Sequence, residues 1–265
     1  MNLRRAIRVL SELLEILPAS PKSDWVEIEN IDPCKPTLVL VSGFGATSRN
    51  LEVVRRRFKR ENFNVLLLSL DWNEISDSVL GLYRLAEKLS QVVVALRKKP
   101  QMKNNSIFIV AHSAGGLVAR YYVQALGGSH YVNGLITLGT PHQGTWFAVL
   151  GFFTHLLLKA RCLFQMLPLS PFIRELNKLK MPDGFSYVSI HSKDDLLCPP
   201  SVARLPHRLY QGDLVKMVEV AKISHAGFLL NKKMHQLILK LIQKNQGGME
   251  LSDDIFSPVD SQNIS

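Results

Sequence analysis

Cysteine is scarce in this chain. Its 265 residues hold three, Cys34, Cys162 and Cys198, an odd number with no paired spacing. That pattern offers neither a disulfide framework nor a set of zinc ligands, and it fits a reducing compartment. Long apolar runs are missing as well. No stretch approaches the ~20 residues that span a bilayer, and the longest candidate, Trp146 to Leu158, is interrupted by Thr154 and His155. The basic opening, Met1 to Arg8, precedes an apolar stretch broken by Glu12 and Glu15, unlike the core of a secretory leader. There is no internal repeat, no zinc-protease helix motif and no phosphate-binding glycine loop. These absences predict a cytoplasmic protein, at most peripherally associated with membrane, that needs no metal and no organic cofactor.

What is present is an apolar and basic chain. Hydrophobic residues make up 46% and charged residues 20%, which excludes a disordered polymer and suits one substantial core. The net charge is +10, and the acidic residues Glu250, Asp253, Asp254 and Asp260 all follow the last lysine, so the body is more basic than the total. Such a body favours an anionic partner such as a phospholipid surface. No recognition motif accompanies the charge, so nucleic acid is not expected. We read residues 1–246 as a single domain and 247–265 as an acidic, disordered tail. Residues 1–17 form an expected amphipathic helix, with Leu3, Ile7, Leu10, Leu14 and Leu17 on one stripe.

Short apolar runs then alternate with helical patterns. Thr37–Val41, Phe63–Leu70, Ser106–Ala111, Val132–Leu138, Phe185–Ile190 and Val215–Ala221 read as strands; Ser76–Lys98, Ala114–Leu126 and Asn231–Gln243 read as helices. Strands apolar on both faces and separated by helices indicate an α/β architecture, a mostly parallel central sheet covered on both sides. The stretch Thr140–Gly184 breaks the alternation. It is too long for a structureless loop and rich in Phe, Leu and Trp, so a helical cap is expected over about 144–181, after the strand at 132–138.

Chemistry concentrates at Ala111-His112-Ser113-Ala114-Gly115-Gly116, where a strand runs into a helix. Serine is a poor nucleophile unless its oxygen is presented to a base and the product oxyanion is stabilised. A sharp strand–turn–helix corner does both, because it pushes the hydroxyl outward and aims helix N-terminal N–H groups at the developing charge. Upstream, Ser42-Gly43-Phe44-Gly45-Ala46 follows the first strand, and the backbone N–H groups of Phe44 and Ala114 make a two-donor oxyanion hole. Of eight histidines, His225 follows the last strand and precedes a helix, the placement for a base reaching Ser113. His112 and His142 are expected near the pocket mouth without a catalytic role. The orienting acid should follow the fifth strand, where Asp194 and Asp195 are adjacent and chain order does not separate them.

Several segments, in order across residues 37–243, resemble small bacterial triacylglycerol lipases and esterases of the α/β-hydrolase superfamily. Ala111–Gly116 is similar to their nucleophile elbow, and Ser42–Ser48 to their oxyanion turn, with Ser42 in place of the usual histidine. Gly139-Thr140-Pro141-His142-Gln143-Gly144 resembles their signature after the next strand, and His225–Leu229 the segment bearing the catalytic histidine. The resemblance places the acid four residues before a proline, which selects Asp195, before Pro199. It also marks Cys198 as a departure from the usual aliphatic residue.

The resemblance implies an α/β-hydrolase fold and carboxylic-ester hydrolysis through an acyl-enzyme on Ser113, with His225 and Asp195 completing the triad. The apolar cap and the basic cluster Arg55, Arg56, Arg57, Lys59 and Arg60 suggest a lipid or other apolar ester, met at an anionic membrane surface. An acyltransferase or thioesterase would use the same three residues, and a non-catalytic lipid-binding protein would keep only the fold.

Overall fold

The computed structural model describes residues 31–43, 48–68, 80–146, 161–209 and 214–246. The expected helix at 1–17, the tail at 247–265 and the middle of the expected cap, 147–160, lie outside these residues.

Six strands form one sheet: β1 (Thr37–Val41), β2 (Asn64–Leu68), β3 (Ile107–His112), β4 (Gly134–Leu138), β5 (Ser186–Ser192) and β6 (Val215–Val220). Their order is β2-β1-β3-β4-β5-β6, and every neighbouring pair is parallel. The connecting helices are α1 (Ser48–Arg60), α2 (Gly81–Arg97), α3 (Ala114–Ala125), α4 (Pro171–Lys178), α5 (Pro200–Ala203), α6 (Gly227–Leu230) and α7 (Lys232–Gln246). Parallel pairing follows from the sequence. Strands β1 to β4 are buried throughout, the edge strand β6 carries Lys216 and Glu219, and each crossover is long enough to carry the chain back to the same end of the sheet.

Alternate residues serve two apolar layers. Val39, Val41, Ile107, Ile109, Ala111 and Leu135 pack beneath Leu82, Leu85, Leu89 and Val93 of α2 and Leu117, Val118 and Tyr122 of α3. Leu38, Leu40, Phe108, Val110, Ile136 and Ile190 pack against Leu51, Val54 and Phe58 of α1 and Met234, Ile238 and Leu241 of α7. Each fully buried leucine or valine contributes about 1.5–3 kcal/mol, so both faces anchor the sheet. The chain leaves β1 toward β2 on one side, then returns past β1 to add β3 through β6 on the other. The reversal falls between β1 and β3, with Val41 paired to Ala111. At such a switch point the loops after the strands diverge and leave a crevice.

The expected strand at 132–138 starts two residues later, at Gly134, because Asn133 spends its side chain on the Ile107 N–H. Of the expected cap, the described part holds a 3-10 turn at Arg161–Met166 and the helix α4, tied to the chain after β4 by the Thr145 N–H donating to the Met166 carbonyl at 2.8 Å.

Candidate active site

Ser113 sits at the corner between β3 and α3 with φ 54° and ψ −129°. A side chain other than glycine's is strained there, and the surroundings hold it: the Ser113 N–H donates to the Leu138 carbonyl at 2.9 Å. The corner needs bare backbone on both sides. A Cβ on Gly43 would lie 2.6 Å from Ser113 Cβ, and one on Gly115 would run into the Ser42 carbonyl. The hydroxyl is thereby turned out of the sheet, and Ser113 is half-buried while its neighbours are buried.

His225 reaches this hydroxyl from the loop between β6 and α6. Its Nε2 lies 2.9 Å from Ser113 Oγ and its Nδ1 2.8 Å from Asp195 Oδ2. Both His225 and Asp195 are buried. Asp195 Oδ1 accepts the backbone N–H groups of Leu197 and Cys198 at 2.9 and 2.8 Å. With one oxygen fixed by two amides, the other is aimed at the imidazole. The carboxylate accepts only, so Nδ1 carries the proton and Nε2 presents a lone pair to the hydroxyl. Cys198 thus serves the acid through its backbone, which any residue but proline supplies.

Asp194 stands at the surface, half-buried. Its Oδ2 accepts the Lys222 N–H at 2.6 Å, and Lys222 has a positive φ of 58°. The two adjacent carboxylates therefore divide the work of holding one loop: Asp195 takes the ring of His225, Asp194 the backbone three residues earlier.

Ala114 is the first residue of α3, where the N–H has no intrahelical acceptor. Phe44, the other expected oxyanion donor, lies outside the described residues. Asp195, Cys198 and His225 bring a carboxylate, a thiol and an imidazole within 4.8 Å of one another, but both carboxylate oxygens are already engaged. Those oxygens are taken by the Leu197 and Cys198 amides and the His225 ring.

Both histidines expected near the pocket mouth are buried. His142 is fully buried instead of lining the mouth. The chain after β4 folds back on the sheet, so that its ring contacts Arg120 Nη1 at 3.1 Å and Ser189 Oγ at 3.0 Å. Burial foremost, and the Arg120 charge after it, hold His142 well below the usual histidine pKa. His112 is also buried, with Nε2 3.0 Å from the His225 carbonyl oxygen. Sequence reading missed both contacts, since polar partners 113 and 47 residues apart leave no periodic signal. The arginine cluster is less free than its composition suggests: Glu52 binds Arg55 and Arg56, and Arg57 donates to the Leu230 carbonyl. Among the described residues no helix is long and apolar enough to cross a membrane.

The family model described as palmitoyl protein thioesterase matches residues 37–167, from β1 past β4. A GPI inositol-deacylase of Candida albicans is 26% identical over 204 residues, which cover 73% of this chain and 45% of that protein. An uncharacterized protein of Saccharomyces cerevisiae is 28% identical over 104 residues, 39% of this chain and 14% of that one. The chain thus spans less than half the length of these curated relatives. Among solved structures, the mature Bacillus licheniformis lipase BlEst2 superposes with a TM-score of 0.58 at 17% identity, covering 84% of this chain and 99% of the lipase. The Paleococcus ferrophilus monoacylglycerol lipase gives 0.58 at 13% identity, covering 80% and 96%. At these identities the likeness speaks to the fold alone: with the six-stranded parallel sheet flanked by helices, it shows an α/β-hydrolase fold.

Proposed function

We propose that the protein is a serine hydrolase that removes fatty acyl groups from lipid-linked carboxylic esters through an acyl-enzyme on Ser113. The observation that carries this reading is the continuous path from Asp195 through His225 to a half-buried serine hydroxyl at the carboxyl ends of the strands.

The reaction follows from the geometry. Ser113 Oγ attacks the acyl carbonyl carbon as its proton passes to His225 Nε2. Asp195 keeps the ring oriented and stabilises the imidazolium. The carbonyl oxygen becomes an oxyanion that accepts from the Ala114 N–H and, on the sequence reading, from that of Phe44. The tetrahedral intermediate collapses, the alcohol leaves with the proton from Nε2, and the acyl group stays on Oγ. Water then repeats the sequence, giving its proton to Nε2 and releasing the acid and the free serine.

Two observations favour a fatty acyl group. Trp146 and Phe164, on the paired segments after β4, are 68% and 46% exposed, and large exposed apolar side chains of this kind suit an apolar ligand. The family model and the Candida relative are both named for acyl removal, one from a palmitoyl protein and the other from a GPI inositol. The family match also favours a second reading, a thioesterase, in which the same steps release a thiol. The deciding experiment compares oxygen esters and thioesters of one acyl chain, from four to sixteen carbons, on the wild type and Ser113→Ala. The proposal expects rates that rise with chain length, prefer the oxygen ester and vanish in the variant. Preference for the thioester would transfer the assignment to the second reading, and hydrolysis that survives Ser113→Ala would defeat both.

A further inference from the structure

We infer that His112 is a positioning residue for the base, holding the backbone of His225 in place through a hydrogen bond from its ring. The inference rests on the serine-hydrolase reading and adds a fourth side chain to its machinery.

His112 ends β3 and immediately precedes Ser113, so one dipeptide meets His225 twice. Ser113 Oγ lies 2.9 Å from the His225 ring, and His112 Nε2 lies 3.0 Å from the His225 carbonyl oxygen. A carbonyl can only accept, so His112 Nε2 must carry a hydrogen and donate it. The two imidazoles also pack, with centroids 4.7 Å apart and planes inclined by 48°, and Phe228 stands 6.5 Å away on the other side. His112 Nδ1 is buried without a hydrogen-bond partner. An imidazole with one satisfied donor and one bare lone pair is neutral, and burial, reinforced by the neighbouring His225, pushes its pKa down to about 3. Neutrality suits the task. A charged ring at this distance would repel the imidazolium that forms when His225 takes the serine proton, whereas the neutral ring fixes the loop without opposing that charge.

The loop from Ala221 to Ala226 is thereby held at three points. Asp194 accepts the Lys222 N–H, Asp195 accepts from the His225 ring, and His112 donates to the His225 carbonyl. The two carboxylates come from the end of β5, and of these three ties only that of His112 comes from β3, the strand that delivers Ser113. Without its donor the buried carbonyl loses its partner, and nothing else in this set fixes the Nε2–Oγ spacing from the nucleophile's side.

Three substitutions separate the hydrogen bond from ring packing. His112→Phe keeps a ring and removes the donor. His112→Gln carries an amide nitrogen about as far from the backbone as Nε2, and His112→Asn carries one that falls short. The readouts are kcat and KM on p-nitrophenyl butyrate, the rate at which a fluorophosphonate labels Ser113, and the thermal melt. The inference expects the Phe and Asn variants to lose about 10- to 100-fold in kcat and in labelling rate, the scale of a roughly 1 Å misplacement, with KM within about twofold. The Gln variant should recover most of the loss, also where its melting temperature matches that of the Phe variant. Wild-type kcat in the Phe variant, or a Gln variant no faster per folded molecule than the Phe variant, would overturn it. Wild-type protein that is not labelled at Ser113 would instead defeat the hydrolase reading, and this inference with it.

Discussion

Two buried polar clusters stand on the same sheet and differ in one component. At the strand ends, His225 is backed by the carboxylate of Asp195 and faces a half-buried hydroxyl. On the α3 side, Arg120 is fully buried, and its partners are all neutral: Gln124 Oε1, His142 Nδ1, Asn177 Oδ1 and the Leu176 carbonyl. Among the described residues it makes no ion pair with a carboxylate. Burial lowers its pKa to about 10, which still leaves it protonated at neutral pH, and the same burial keeps His142 neutral. On the proposed reading, the first cluster combines a base, an acid to stabilise its charged form and a proton to take. The second has a fixed charge surrounded by dipoles and nowhere to send a proton. Asn177 joins α4 to both partners by accepting from Arg120 and donating to the His142 carbonyl at 2.8 Å. Under the proposal one cluster moves a proton, whereas the other pins α4 to α3.

The comparison breaks most sharply under substitution. Asp195→Asn should cost about 10⁴-fold in turnover, because an amide does not stabilise the imidazolium and can enforce the wrong tautomer. It should remain folded, since its Oδ1 can still accept from Leu197 and Cys198. Arg120→Met should do the reverse. It leaves the buried acceptors of Leu176 and Asn177 without donors, at a cost of about 2–4 kcal/mol, while turnover per folded molecule stays within about tenfold. Denaturant melts beside ester kinetics read both effects. An Arg120→Met protein as stable as the wild type, or an Asp195→Asn protein that keeps its turnover, would dissolve the distinction.

Acid tests the second cluster by another route. Burial holds His142 and His112 below the 6.5 of a free histidine, so these rings stay neutral while the unfolded chain takes up protons. Their contribution to stability is complete above about pH 6.5 and is lost as pH falls toward their folded pKa values. The slope is about 1.4 kcal/mol per pH unit for each ring. Urea midpoints at pH 7.5, 6 and 5 should decline in that order, and a flat profile would mean that these rings titrate normally.

The smallest effect separates the adjacent carboxylates. Asp194→Asn still offers an oxygen to the Lys222 N–H, so it should slow turnover by less than about tenfold, against the far larger loss at Asp195. Equal losses would mean that the backbone tie at Lys222 matters as much as the bond to the ring.

Much of this was legible in the sequence, for reasons visible in particular residues. The strand Thr37–Val41 matches its expected bounds because five apolar-facing positions are buried in succession, and the corner at Ser113 was marked by small residues that its neighbours require. Asp194 and Asp195 are not separated by chain order, since adjacent residues follow the same strand. What selects Asp195 in the structure is a pair of amides, at Leu197 and Cys198, that carry no side-chain signature. Nothing in the sequence pattern sets Arg120 apart from the other basic residues. Its burial depends on Asn177 and His142, which lie 57 and 22 residues away. Glu52, one helical turn earlier, pairs with Arg55 and Arg56, which a run of basic residues does not by itself show.

The most direct test of the central claim is to react the protein with a fluorophosphonate and map the adduct by peptide mass spectrometry. Phosphonylation should fall on Ser113 alone, slow by orders of magnitude in His225→Ala, and abolish ester hydrolysis in proportion to labelling. An adduct on another serine, or hydrolysis that persists after Ser113 is fully labelled, would contradict the account.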